Sequence, residues 1–211
     1  ARLMAGELIA DFELPASNLP ANHIAVKEAV FPFARFPGVD TILSPEMKST
    51  GEVMGLDRNF GHAFAKSQIG SGTIVPVGGK VFVSVRERDK DAMVPLSQSL
   101  IEMGFDIVAT SGTARHLAAN DIPVDTINKV LEGRPHIVDA MQNGDIQLVF
   151  NTTEGATSIA DSFSLRRTAL NLRIPYYTTV AGARAAVASI SAMRSGALEV
   201  APLQSYFSSD F

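Results

Sequence analysis

The sequence predicts an α/β protein with a five-stranded parallel sheet between helices, preceded by a smaller α+β segment that cannot close a core alone. Three observations support this. From residue 81 to about 200, short β-branched runs alternate five times with helical stretches long enough for right-handed crossovers. Residues 70–79, GSGTIVPVGG, oppose regular structure and read as a connector. Residues 1–69 carry Pro15, Pro20, Pro32, Pro37 and Pro45 in loop-like text, so little continuous structure is left to bury apolar surface.

Taken in order, a short helix is expected over 2–9, strands over 23–31 and 52–55, and a helix through Ser67 capped by Asp57. The first strand–helix unit follows at 81–85 and 89–103, where Gly104 stops the helix. The second is 105–109 and 113–120, ended by Asn120, Asp121 and Pro123. The third is 124–127 and 136–143, and Asn143-Gly144-Asp145 then turns the chain into a strand at 148–150. A helix over 158–171, a strand over 176–178 and a helix over 180–193 complete the pattern.

With 211 residues, 46% of them hydrophobic, the chain can bury one sizeable core and a smaller second unit. A net charge of −4 gives no electrostatic reason to bind nucleic acid. No apolar run approaches the roughly 20 residues needed to cross a bilayer, and the amino terminus lacks a signal-peptide pattern. The absence of Cys excludes disulfides, thiolate metal sites and cysteine nucleophiles from these residues, and a cytoplasmic location fits. His23, His62, His116 and His136 have no close metal-ligand spacing, so no metal site is expected.

Loops leaving the carboxyl ends of parallel strands share the edge where open α/β folds bind ligands. Here that edge carries Ser84 with Arg86, Arg88 and Lys90, then Thr110, Ser111, Gly112 and Thr113, then Asn128 and Lys129, then Asn151, Thr152, Thr153 and Glu154. Singly, each has an ordinary explanation: hydroxyls before helices are caps, Asn151-Thr152-Thr153 is a polar turn, and arginines and lysines are a solvated face. Lys90 is the exception, because a cation in a helix's first turn opposes the macrodipole unless an anion is near. Four successive loops with compatible donors point to an anion site, since hydroxyls, helix-start amides and an ammonium suit a phosphate. The carboxylates of the same edge, Glu87, Asp125, Glu132 and Glu154, form no ordered nucleophile–base set, so no catalytic residues are assigned. His136 reads as a cap or packing residue. Binding without chemistry is the simpler interpretation.

Several longer stretches carry a resemblance. EAVFP at 28–32, FPGV at 36–39, PEMKSTGEVMG at 45–55 and AFAKSQ at 63–68 resemble the end of the second ATP-grasp half of carbamoyl-phosphate synthase large subunits. TSGTA at 110–114, NKVLEGRPHI at 128–137 and NTTEG at 151–155 resemble the regulatory domain that follows it. The resemblance implies a carboxyl-terminal fragment: residues 1–69 an incomplete ATP-grasp part, 70–80 a linker, and 81–211 a methylglyoxal-synthase-like allosteric domain.

It also implies a nucleotide monophosphate effector, uridylate (UMP) or inosinate (IMP), held by Lys90, Thr110, Thr113, Lys129, Asn151, Thr152 and Thr153 with Ser84 beside them. An ornithine site is implied in part by Glu28, Tyr176 and Thr178, although Tyr177 stands where a relative has an acidic residue. The implied parent is a ligase that makes carbamoyl phosphate for pyrimidine and arginine biosynthesis from bicarbonate, glutamine-derived ammonia and two ATP. Its partners would be the rest of the large subunit and a glutaminase small subunit, and self-association is compatible with the sequence. The parent's ATP and Mg (or Mn) sites would lie upstream, so the fragment itself would need no cofactor and be inactive alone. Methylglyoxal synthase is the alternative within the fold, but EGRPH at 132–136 replaces its carboxylate-bearing loop. A third reading makes residues 1–69 only an assembly surface.

Overall fold

Alternate residues of the central strands are apolar on both sides, so the sheet they form has to be covered on two faces. The computed structural model, which describes residues 1–12, 23–31, 49–154 and 162–207, has that arrangement. The five prolines of the first segment and the expected helix start at Ser158 lie outside the described residues. Strands β1 (Ile24–Val30) and β2 (Gly51–Asp57) form an antiparallel pair, followed by helix α1 (Phe60–Gly70). Residues 71–78 lead irregularly into β3 (Gly79–Ser84) and α2 (Lys90–Glu102). Then come β4 (Phe105–Ala109), α3 (Ser111–Ala118), β5 (Asp125–Thr126), α4 (Ile137–Gln142) and β6 (Leu148–Asn151). Helix α5 (Phe163–Leu172), β7 (Tyr176–Tyr177) and α6 (Val180–Ser195) complete the main elements.

The sheet runs β5-β4-β3-β6-β7, with all pairings parallel. Val81, Val83, Ile107, Leu148 and Phe150 face α2, α3 and α6, packing on Met93, Leu100, Leu117, Ala186 and Ile190. Phe82, Val108 and Val149 face the other way, onto Ile137 and Met141 of α4 and Leu165 and Ala169 of α5. The result is a three-layer sandwich with two cores separated by one sheet. Edge strands β5 and β7 are only two residues long; each follows a proline, Pro123 or Pro175, close to where its pairing begins. Among the described residues, no helix is long and apolar enough to cross a membrane.

Three local expectations need correction. The helix over 2–9 is instead two short 3-10 turns, Leu3–Ala5 and Ile9–Asp11, because Gly6 adopts a positive φ of 100° and stops the first. Asp57 does not cap α1; Asn59 does, its Oδ1 accepting from His62 N at 3.2 Å. The helix expected from 113 starts at Ser111, with Thr110 as the N-cap residue. His136 does cap α4: it accepts from Asp139 N at 3.3 Å, and Asp139 accepts from His136 N at 3.0 Å.

The amino-terminal elements sit on the sheet domain through α1 and α6. A Cβ on Gly61 would overlap the Ala188 carbonyl and the Ala192 side chain, so the two helix backbones approach as only glycine permits. His62 Nε2 lies 2.9 Å from Ala192 O. On the other side of α1, Asp57 at the end of β2 pairs with Lys66 at 2.7 Å, and Lys66 Nζ also donates to Leu56 O at 2.9 Å. Burial opposes charge on both groups, yet their mutual hydrogen bond holds the Asp57 carboxyl below its ordinary range and Lys66 above its own. The connector joins the sheet domain too: Val75 is buried in the larger core, and Val77 O accepts from Arg194 at 2.9 Å.

Asp57→Asn leaves the Lys66 ammonium without its charge partner and should destabilise the chain by about 1–3 kcal/mol at neutral pH. A lowered carboxyl pKa contributes stability above the unfolded value that is lost as pH falls through the folded one. Urea unfolding should therefore show a wild-type advantage at neutral pH that closes in acid, as the pH falls through the lowered Asp57 value.

Candidate functional site

Strand order decides where a ligand can sit. From β3 the chain crosses to β4 on one side, whereas from β6 it crosses to β7 on the other, so their following loops part and leave a crevice between them. Ser84 and Asn151, the last residues of these two strands, are register partners at its floor. A cavity of about 460 Å³ opens there. Phe82, Val85, Val130, Leu131, Ile137 and Leu165 give it an apolar wall.

The polar wall is hydrogen-bonded to the backbone beneath it. Thr110 donates to Ser84 Oγ at 3.2 Å. Thr113, in the first turn of α3, accepts from Val85 N at 3.3 Å, which leaves its hydroxyl hydrogen available to a ligand. Thr152 accepts from Arg86 N at 3.2 Å and donates to the Asp89 carboxylate. Burial opposes charge on Asp89, but Thr152 and Arg86 together hold its carboxyl below the usual range, with Arg86 Nε 2.7 Å away. Thr110, Thr113, Asn151 and Thr152 are all buried, so their positions are set by the core rather than by solvent.

Cations approach from two loops. Lys90, the first residue of α2, lines the cavity with its Nζ beside Gly112 at the start of α3 and 2.6 Å from Glu87. This supplies the anion that the helix dipole demands near Lys90. Lys129 also lines the cavity and is exposed, its backbone N donating to Glu132 at 2.8 Å. Among the described residues the Lys129 ammonium forms no ion pair.

The cavity thus gathers Ser84, Lys90, Thr110, Thr113, Lys129, Asn151 and Thr152; Thr153, half-buried, is not in its lining. Arg86 lines it while paired to Asp89, whereas Arg88 lies 3.7 Å from Glu154 on the surface. Of the edge carboxylates, Glu87, Glu132 and Glu154 line the cavity and Asp125 does not. Sequence reasoning missed the apolar wall and Ser162. Leu165 and Ile137 read there only as helix residues, and nothing local indicates which helix residue reaches a strand end. Among the described residues, no group of three His, Asp or Glu side chains is arranged to hold a metal ion.

A second cavity, of about 500 Å³, lies between α1 and the β7 end of the sheet. Glu28, Phe31, Phe64, Gln68, Tyr176 and Tyr177 line it, and the exposed Thr178 does not. Burial raises the Glu28 carboxyl above its ordinary value despite a hydrogen bond from neutral Gln68. Tyr177 donates to Gln68 Oε1 at 3.0 Å, and burial, with the Glu28 charge behind it, pushes its phenol well up. Asn151 Nδ2, in the first cavity, donates to Tyr176 OH, in the second, at 2.7 Å.

Comparison with known proteins agrees with this architecture. Residues 92–178 match the family model described as an MGS-like domain. Over 98% of its length the chain is 56% identical to the carbamoyl phosphate synthase large chain of Mesorhizobium japonicum and 57% identical to that of Rhizobium meliloti. It is 48% identical over 97% of its length to the protein of the same name from a Nostoc species. The chain spans 18% of the length of each of these relatives.

Thr152→Val removes the hydroxyl shared by Arg86 N and Asp89 inside a buried turn, and should cost about 1–3 kcal/mol in urea unfolding. Thr153→Val, one residue on, should change stability by less than about 0.5 kcal/mol.

Proposed function

We infer that this chain, which belongs to the carbamoyl phosphate synthase large-chain family, is a regulatory part of such a protein that binds a nucleoside monophosphate at the β3–β6 crevice. The observation that carries this reading is the convergence of Lys90, Lys129, Thr113 and the in-register pair Ser84–Asn151 on one cavity with an apolar wall. A phosphate needs several donors and positive potential, and the start of α3 adds backbone N–H groups beside Lys90. A base needs an apolar surface, and Phe82, Ile137 and Leu165 are among the apolar residues that line the cavity. Asn151 is fixed by Tyr176, and among the described residues no hydrogen bond takes up its side-chain carbonyl oxygen, which can accept from a sugar or base.

In this reading residues 1–69 belong to an ATP-grasp half completed by other parts of the large chain, 70–80 link it, and 81–211 form the sensing domain. The whole protein would make carbamoyl phosphate in the cytoplasm with ATP, Mg and a glutaminase partner. UMP, or IMP in the same place, would bias that activity from a distance.

Lys129→Ala should weaken uridylate binding roughly ten- to a hundredfold by calorimetry, the effect of losing a charge-assisted bond, and leave the weak binding of uridine unchanged. Equal affinity of the native chain for uridylate and uridine would refute the phosphate role.

The second cavity suits a small cation such as ornithine, because Glu28 is a partly buried carboxylate whose raised pKa an ammonium would bring down. Ornithine should raise the melting temperature of the native chain and not that of Glu28→Gln. The sign of the pH effect follows: binding weakens as pH falls through the raised Glu28 value and its carboxyl takes up a proton. A shift retained in Glu28→Gln would remove ornithine from this cavity.

A further inference from the structure

Lys90 is the better placed of the two cavity lysines and the less available. Its side chain is only 13% exposed, its Nζ lies beside Gly112 at the start of α3, and it is held at 2.6 Å by Glu87. Glu87 comes from the turn between β3 and α2, and 87% of its side chain is open to solvent, so no packing fixes it against Lys90. The pair is held by charge and hydrogen bonding, and the Lys90 bond holds the Glu87 carboxyl below its usual range. Both residues line the cavity.

We propose that Glu87 is a tethered competitor for the ligand's phosphate: it holds the Lys90 ammonium, and an arriving phosphate reaches Lys90 only by displacing it. This rests on the reading of the crevice as a nucleoside monophosphate site and adds to it the residue that sets its affinity and anion selectivity. The cost of displacement falls on every anion alike. A phosphate dianion recovers it through Lys90, Lys129 and the start of α3 together, whereas a monoanion with fewer acceptor oxygens recovers less. The other two carboxylates of the wall cannot play this part. Glu132 is turned to its own backbone at Lys129 N, and Glu154 lies toward Arg88.

The test is a four-protein calorimetric cycle with uridine 5′-monophosphate: the native chain, Glu87→Gln, Lys90→Met and the double variant. Glu87 is exposed, so its replacement leaves the core untouched. The free-lysine fraction limits the apparent affinity, so freeing Lys90 from an exposed pair should tighten uridylate binding roughly two- to fivefold. The same Glu87→Gln change in the Lys90→Met background should leave affinity nearly unchanged, and uridine should not distinguish Glu87→Gln from the native chain. Native binding with unchanged or weaker affinity in Glu87→Gln overturns the proposal alone. An equal gain in both backgrounds also overturns it, since Glu87 would then act by general repulsion rather than by occupying Lys90. Absence of uridylate binding by all four proteins defeats the nucleotide reading and this proposal with it.

Discussion

The parallel pairing of β3 with β6 is the constraint on which the rest of this molecule depends. It sets Ser84 opposite Asn151 and sends the two following loops in opposite directions. Without that divergence the hydroxyls of Thr110 and Thr113 and the two lysines would decorate separate loops. With it they enclose one cavity. The same pairing places Phe82 and Val149 on one face and Val83 and Phe150 on the other, so the two cores fix the floor of the site to within the tolerance of close packing.

On this rigid floor the electrostatics are balanced rather than simply positive. Arg86 is taken by Asp89, Arg88 lies toward Glu154 and Lys90 is taken by Glu87. A crevice with this many carboxylates would hold simple anions weakly, and a ligand has to meet several donors at once to overcome the local pairs. Selectivity of that kind comes from unfavourable alternatives as much as from new contacts.

The smaller amino-terminal part is joined to the sheet domain by geometry at glycine. Gly61 lets α1 lie against α6, and Gly55 lets β2 lie against α1, where a Cβ would overlap Ala63 O and Ser67 N. Tyr206, beyond α6, returns to donate to Leu56 O at 3.1 Å. The second cavity forms at this junction. Its Tyr176 is hydrogen-bonded to Asn151 of the first, so the two cavities share a wall rather than lying at opposite ends of the fold.

The sequence by itself determined the order of the strand–helix units, the edge on which the polar groups would gather, and most of those groups. Each of these is written locally: in the short apolar runs at 81–85 and 148–150, in Gly104 stopping α2, and in hydroxyls placed before a helix. The discomfort of Lys90 in a first helical turn was legible too, though not that Glu87 relieves it. Only the tertiary structure decided which side of β3 each later strand takes, and hence that Ser84 meets Asn151. It alone brought Leu165 and Ile137 to the cavity wall, left Thr153 out of the lining, and occupied the Thr152 hydroxyl with Arg86 and Asp89. Strand order and helix rotation are set by how two apolar faces of one sheet are covered at the same time. That is a property of the whole packed chain, and no window of neighbouring residues contains it.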